Sequence, residues 1–146
     1  MTAPAAPDST RAPRSEAETF AVGEELGRSL RGGEIVCLEG QLGAGKTVFA
    51  RGIAAALGID PREVGSPTFI IVDRHDGRLT LYHADLYRLD READVLDLGL
   101  DELAAAGAVL VVEWGERLPA DLCESAIVVR IADAGEDARQ VEVRSP

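Results

Sequence analysis

The sequence predicts an α/β chain folded as a three-layer sandwich, with a mixed, largely parallel central sheet and an antiparallel hairpin. Three observations lead there. Glu34 to Glu39 (EIVCLE) and Ala108 to Glu113 (AVLVVE) are short apolar runs, the latter apolar on both faces as a strand covered on two sides would be. Segments of helical period alternate with these runs. Glycine-centred breaks at Arg31-Gly32-Gly33, His75-Asp76-Gly77 and Ala134-Gly135-Glu136-Asp137 punctuate the chain.

Residues 1–14 open with MTAPAAPDST and have no apolar stretch of the kind that directs secretion. Two arginines and several hydroxyls faintly echo a transit peptide, but the prolines and the acidic continuation predict a disordered tail, leaving residues 15–146 as a single domain. Ser15-Glu16-Ala17-Glu18 has the capping-box pattern that starts a helix, and Val22, Leu26 and Leu30 recur on one face of it. Arg31-Gly32-Gly33 ends that helix, and the strand Glu34 to Glu39 follows. A glycine-rich loop leads into a helix from Lys46 to Leu57, closed by Gly58.

Gly65-Ser66-Pro67-Thr68 reads as a loop. Phe69 to Asp73 and Leu79 to Asp85 read as strands around the His75-Asp76-Gly77 turn. Asp90 is placed to cap a helix running to about Leu98, and Asp101 to Ala106 reads as a further short helix ended by Gly107. The central strand Ala108 to Glu113 comes next. Ala126 to Ala132 and Arg139 to Arg144 form the closing hairpin.

The formal net charge is −11, which at long range repels nucleic acid. If the pathway involves RNA, a partner is expected to hold it. No apolar run reaches the length of a membrane span. Cys37 and Cys123 suit neither a zinc site nor a disulfide framework, and a reducing cytoplasm is the expected location.

Gly40-Gln41-Leu42-Gly43-Ala44-Gly45-Lys46-Thr47 matches the Walker A pattern between a strand and a helix, its required context. The three-layer sandwich is therefore expected to be of the P-loop NTPase kind, with ATP or ADP and Mg²⁺ as cofactors. Glycines let successive backbone N–H groups face an anion, and the helix N-terminus adds positive potential. Lys46 would neutralise β- and γ-phosphate oxygens, and Thr47 would offer its hydroxyl to Mg²⁺. Lys46 is the only lysine, against fourteen arginines. A compact ammonium fits beneath phosphates where a planar guanidinium does not.

Such a site also needs a carboxylate at a nearby strand end. Asp85 and Glu113 both qualify, and the pattern leaves open which of them touches metal and which orients water. Trp114, the only tryptophan, follows Glu113. It reads either as a core residue or as a platform for adenine, at the strand end where ligands bind in α/β sheets. His83, sharing a face with Leu81 and Asp85, reads as a supporting or packing residue, and His75 as a solvated turn residue.

The phosphate loop, then Ser66-Pro67-Thr68-Phe69, then His83-Ala84-Asp85-Leu86-Tyr87-Arg88-Leu89, then Glu113-Trp114, occur in an order that resembles the TsaE family. These are bacterial ATPases of tRNA threonylcarbamoyladenosine synthesis. The resemblance runs from about Glu16 to Val143. It implies an ATPase working with TsaB and TsaD, the latter performing the transfer to adenosine, with tRNA reached only through those partners. It further implies that Thr47 and Asp85 serve Mg²⁺ and that Ser66, Pro67 and Thr68 form a switch-like loop. Glu113 would support hydrolysis and Trp114 would stack on adenine.

Two other functions compete with a partner-driving ATPase. A small-molecule kinase would need a lid or acceptor domain, and the stretch after Asp85 is short and acidic, with Arg88 and Arg91 near its start. A nucleotide-gated binding module would have no need of a second carboxylate. A GTPase is disfavoured because no Asn-Lys-x-Asp-type base motif exists.

Overall fold

A computed structural model describes residues 8–41, 43–65, 72–87, 89 and 92–146 of the chain. Among these residues the strands are β1 (Ser9–Arg11), β2 (Ile35–Glu39), β3 (Val72–Asp76), β4 (Thr80–Asp85), β5 (Val109–Glu113), β6 (Ile127–Asp133) and β7 (Arg139–Arg144). They form one sheet in the order β1-β7-β6-β2-β5-β4-β3. β2 lies parallel to both β5 and β6, and β4 is parallel to β5. The pairs β1–β7, β3–β4 and β6–β7 are antiparallel. This is the mixed, centrally parallel sheet that the apolar runs predict.

Helices α1 (Glu16–Ser29) and α2 (Lys46–Ala56) cover one face. Leu26, Leu30, Phe49 and Ile53 bury there against Val36, Leu38, Val109 and Val111. On the other face, α3 (Glu92–Leu96), α4 (Leu100–Ala105) and α5 (Ala120–Glu124) lie beside the sheet, and Val95, Leu100, Ala104 and Leu118 pack on Cys37, Leu110 and Val112. Alternate residues of β2 and β5 therefore feed two separate cores, the reason those runs are apolar throughout.

Ser15 caps α1 as its sequence predicts, its Oγ accepting from Glu18 N at 3.1 Å. The two long helices meet backbone to backbone. A Cβ on Gly23 would lie 2.3 Å from Phe49 O, and one on Gly52 would lie 2.1 Å from Phe20 O. Only glycine permits that approach.

Several expectations are corrected. Ser9–Arg11, assigned to a disordered tail, is a strand: it pairs with β7, Arg11 forms an ion pair with Glu25 at 2.6 Å, and Ser145 N donates to Asp8 at 2.7 Å. The open edge of β7 supplies the backbone partners that composition alone does not reveal. His75 is not a solvated turn residue. It lies buried within β3, its Nε2 3.3 Å from Asp73 Oδ2. The β3–β4 turn starts later than expected because its tip docks on the end of α2, Arg78 N donating to Leu57 O at 2.6 Å. α5 and the 3-10 turns Pro61–Glu63 and Gly115–Arg117 were not foreseen. Leu42, Ser66 to Ile71, Arg88, Asp90 and Arg91 lie outside the described residues. With them go the switch-like loop Ser66, Pro67 and Thr68, the start of the strand expected from Phe69, and the Asp90 cap. No helix among the described residues is long and apolar enough to cross a membrane.

Candidate functional site

The sheet brings the carboxyl ends of β2, β5 and β4 side by side. Leu38 is in register with Glu113, and Glu113 with Asp85. β2 runs into the glycine loop, whose last glycine, Gly45, is the N-cap of α2 with φ 105°. That left-handed conformation, which a side chain would resist, turns the chain so that α2 begins at Lys46. The N-cap has no side-chain hydrogen bond, so the first N–H groups of α2 have no cap from that side chain and suit an anion. Gly40 approaches Ile131 closely, and a Cβ there would lie 2.5 Å from its carbonyl oxygen.

Lys46 is buried at 5 % exposure. Its Nζ donates to Gly40 O and to Gln41 O, the latter at 3.3 Å. The Trp114 ring lies over it, with 3.8 Å from Nζ to the ring centroid. Burial holds the Lys46 pKa below the ordinary lysine value, and the charges of Glu116, Glu113 and Asp85 oppose that shift. Burial also raises the Glu116 carboxyl.

Thr47 Oγ1 donates to both carboxylate oxygens of Glu113, at 3.0 and 3.2 Å. His83 Nε2 lies 2.6 Å from Glu113 Oε2, and both side chains are buried. Asp85 is more exposed and accepts from Tyr87 N at 3.0 Å. Gly65, just before the undescribed stretch, packs on Thr47: a Cβ there would lie 2.3 Å from Thr47 Cγ2.

Trp114 has φ 60°, left-handed for a non-glycine residue, and it N-caps the turn Gly115–Arg117. Such a backbone at a site signals local constraint. Gly115 sits against Cys37, where a Cβ would come within 2.5 Å of Cys37 Cβ. Cys123 Sγ bonds Gly115 O at 3.4 Å, and burial pushes both thiols up. The Tyr87 ring flanks Trp114, centroids 5.1 Å apart. In this arrangement Trp114 covers the ammonium expected to meet the phosphates.

A cleft of about 300 Å³ runs from Asp85, Glu113 and Trp114 over Gly43, Gly45, Lys46, Thr47 and Val48 to Glu16, Thr19, Asp137 and Arg139. Arg139 braces the loop from β7, its Nε donating to Ala44 O at 2.8 Å and Nη2 to Gly43 O at 3.4 Å. Sequence reasoning missed Arg139 and Thr19. Neither belongs to a motif, and only the pairing of β7 and the crossing of α1 bring them to the loop.

The site fits a nucleotide with Mg²⁺. The capless α2 N-terminus and the glycine turns suit phosphates, and Thr47, Glu113 and Asp85 supply the hard oxygen donors Mg²⁺ takes. Among the described residues no three His, Cys, Asp or Glu side chains gather as a metal group.

The family model described as "Threonylcarbamoyl adenosine biosynthesis protein TsaE" matches residues 13–141. The chain is 41% identical over 130 residues to the tRNA threonylcarbamoyladenosine biosynthesis protein TsaE of Treponema pallidum, covering 89% of this chain and 96% of that one. It is 42% identical over 125 residues to the protein of the same name from Bacillus subtilis, covering 85% of this chain and 77% of that one. The crystal structure of Bacillus subtilis YdiB superposes with a TM-score of 0.74 at 32% identity, over 95% of this chain and 86% of that one.

Proposed function

Because the chain belongs to the TsaE family of tRNA threonylcarbamoyladenosine biosynthesis, we propose that it is a Mg-ATP-dependent ATPase whose turnover drives partner proteins of that pathway. The observation that carries this reading is the Thr47–Glu113 pair at the mouth of the phosphate loop. A hydroxyl at the head of α2 and a buried carboxylate meet where the end of a triphosphate would lie.

In this reading the N–H groups at the start of α2 bind phosphate oxygens, and Lys46 exchanges its bonds to the Gly40 and Gln41 carbonyls for bonds to them. Trp114 must leave the ammonium as it does so. Thr47 and Asp85 would hold Mg²⁺, and Glu113, hydrogen-bonded to Thr47, reaches the same place. When bound, Mg²⁺ would supply positive charge that offsets the negative charge of the phosphates. Glu113 accepts a hydrogen bond from the attacking water and orients it, and His83 holds that carboxylate in place. The nucleoside then extends toward α1 and β7, past Val48 to Glu16, Thr19 and Arg139.

TsaB and TsaD are the proposed partners, and tRNA is reached through them. The net charge of −11 supports this division, since the phosphate backbone would be repelled. The cytoplasm is the proposed location. The test is a multiple-turnover modification assay with TsaB, TsaD, tRNA and preformed threonylcarbamoyl donor, paired with a gel shift of the isolated chain at physiological salt. Sustained modification should require this protein and hydrolysable ATP. Tight tRNA binding by the chain alone, or sustained modification without it, would refute the proposal.

A further inference from the structure

Thr19 is a buried polar residue that the loop chemistry does not use. It is 2 % exposed, and its Oγ1 has no hydrogen-bond partner among the described residues. His75 Nε2 shares that condition but has a carboxylate 3.3 Å away. A threonine inside a helix commonly returns its hydroxyl to the carbonyl one turn back. Here Ser15 O accepts Thr19 N at 2.9 Å, and no such bond from the hydroxyl forms. A hydroxyl taken from water and left unpaired is costly, so a native one calls for an explanation.

Its position supplies one. Thr19 lines the phosphate-loop cleft, and its Cγ2 lies 3.8 Å from the place a Cβ on Gly45 would occupy. It thus stands beside the glycine that heads α2, on the α1–β7 side, while Lys46 and Trp114 meet on the β5 side. The charged neighbours in the cleft cannot satisfy it in place. Arg139 spends its guanidinium on the carbonyls of Ala44, Glu136, Ala138 and Gly43. Neither Glu16 nor Asp137, which line the same end, is a partner of the hydroxyl.

Resting on the nucleotide reading above, we infer that the Thr19 hydroxyl is a specificity-determining contact to the nucleoside part of the ligand. It distinguishes a nucleotide from a bare polyphosphate. A hydroxyl both donates and accepts, so it can pair with a ribose hydroxyl or a base edge without a change of protonation. The unliganded protein bears the cost of the unpaired group, and the nucleoside relieves it.

The experiment measures Mg-ADP and Mg-pyrophosphate affinities by calorimetry for wild type, Thr19→Val and Thr19→Ser, with thermal melts of each free protein. Thr19→Val keeps the shape and removes the hydroxyl. It should bind ADP about tenfold more weakly, the effect of one well-made hydrogen bond, and bind pyrophosphate as wild type does. Its melting temperature should equal or exceed that of wild type. Thr19→Ser should stay within about twofold of wild type for ADP. If Thr19→Val folds poorly, Thr19→Ala carries the comparison and must show the same ADP-only loss. Undiminished ADP affinity without the hydroxyl would overturn the inference, as would an equal loss for pyrophosphate, which would place the effect in the loop. Wild-type protein that bound neither ligand would instead overturn the nucleotide reading itself.

Discussion

Thr47 and Glu113 are joined across the cleft by a hydroxyl that reaches both oxygens of one carboxylate, at 3.0 and 3.2 Å, while His83 Nε2 meets Oε2 of that carboxylate at 2.6 Å. Glu113 therefore has a fixed rotamer and a fixed direction before any ligand enters. Glu113→Gln should keep nucleotide affinity and lower turnover by about 10²-fold or more. Asp85→Asn should weaken the Mg²⁺ dependence of binding more than it affects the turnover of saturated protein. Steady-state ATPase measurements across a magnesium titration check both. Interchanged phenotypes would reverse the two roles and leave the site standing.

Lys46→Ala should nearly abolish Mg-ATP binding, since it removes the only lysine from the phosphate loop. Lys46→Arg should also bind poorly, because a forked cation does not fit between the Gly40 and Gln41 carbonyls and the Trp114 ring. Calorimetry on the two variants decides this. Near wild-type affinity in Lys46→Ala would remove the phosphate-loop assignment.

Trp114 should report phosphate rather than base. Its ring lies on the Lys46 ammonium, so its emission should change on adding inorganic triphosphate as well as ATP. It is the sole tryptophan, and the signal has one dominant source. An emission change that required the adenine would instead support the stacking role expected from sequence.

The pH dependence follows from the Lys46 shift. Burial sets its folded pKa below 10.5. Phosphate binding uses the protonated form, so affinity should be full below the folded pKa and fall as pH rises through it, earlier than for an ordinary lysine. The free protein has the opposite slope. Between the folded pKa and 10.5 the unfolded chain holds more protons, so Lys46 makes stability rise with pH there. Binding isotherms and denaturant melts over the alkaline range, compared with Lys46→Ala, separate the two slopes.

Gly52→Ala should destabilise the fold by about 1–3 kcal/mol or more. Its new methyl would meet backbone at Phe20 O, Glu24 N and Gly23 Cα, none of which can swing aside like a flexible side chain. Urea unfolding measures it. Gly99→Ala, where a Cβ would meet nothing within 4 Å, is the contrasting variant. Its φ of 65° strains alanine without a clash.

The readable parts of this molecule were those whose physics is local. The strand–loop–helix around Lys46, the Ser15 cap and the two-sided apolar strand ending at Glu113 each depend on neighbours in sequence, and each formed within a residue or two of its expected place. β1 was missed because a three-residue strand exists only through the open edge of β7, far along the chain. His75 was misjudged because the turn after it is set by a bond to α2 rather than by the Asp76-Gly77 pair. At the site, Asp85 and Glu113 were legible as strand-end carboxylates. That Glu113 is the one bonded to Thr47 depends on the β2–β5 register, which no pattern encodes. Thr19 and Arg139 had no motif to announce them.

The lone lysine beneath the lone indole makes a magnetic label of the site. Reductive methylation with a carbon-13 reagent would mark one side chain in this chain, Lys46, besides the terminal amine. With the ring centroid 3.8 Å from Nζ, the circulating π electrons shield those methyl groups and displace their resonance from that of a free lysine. A single peak would then follow the uncovering of the ammonium in solution, in the presence of any partner, against a background otherwise empty of lysine signals.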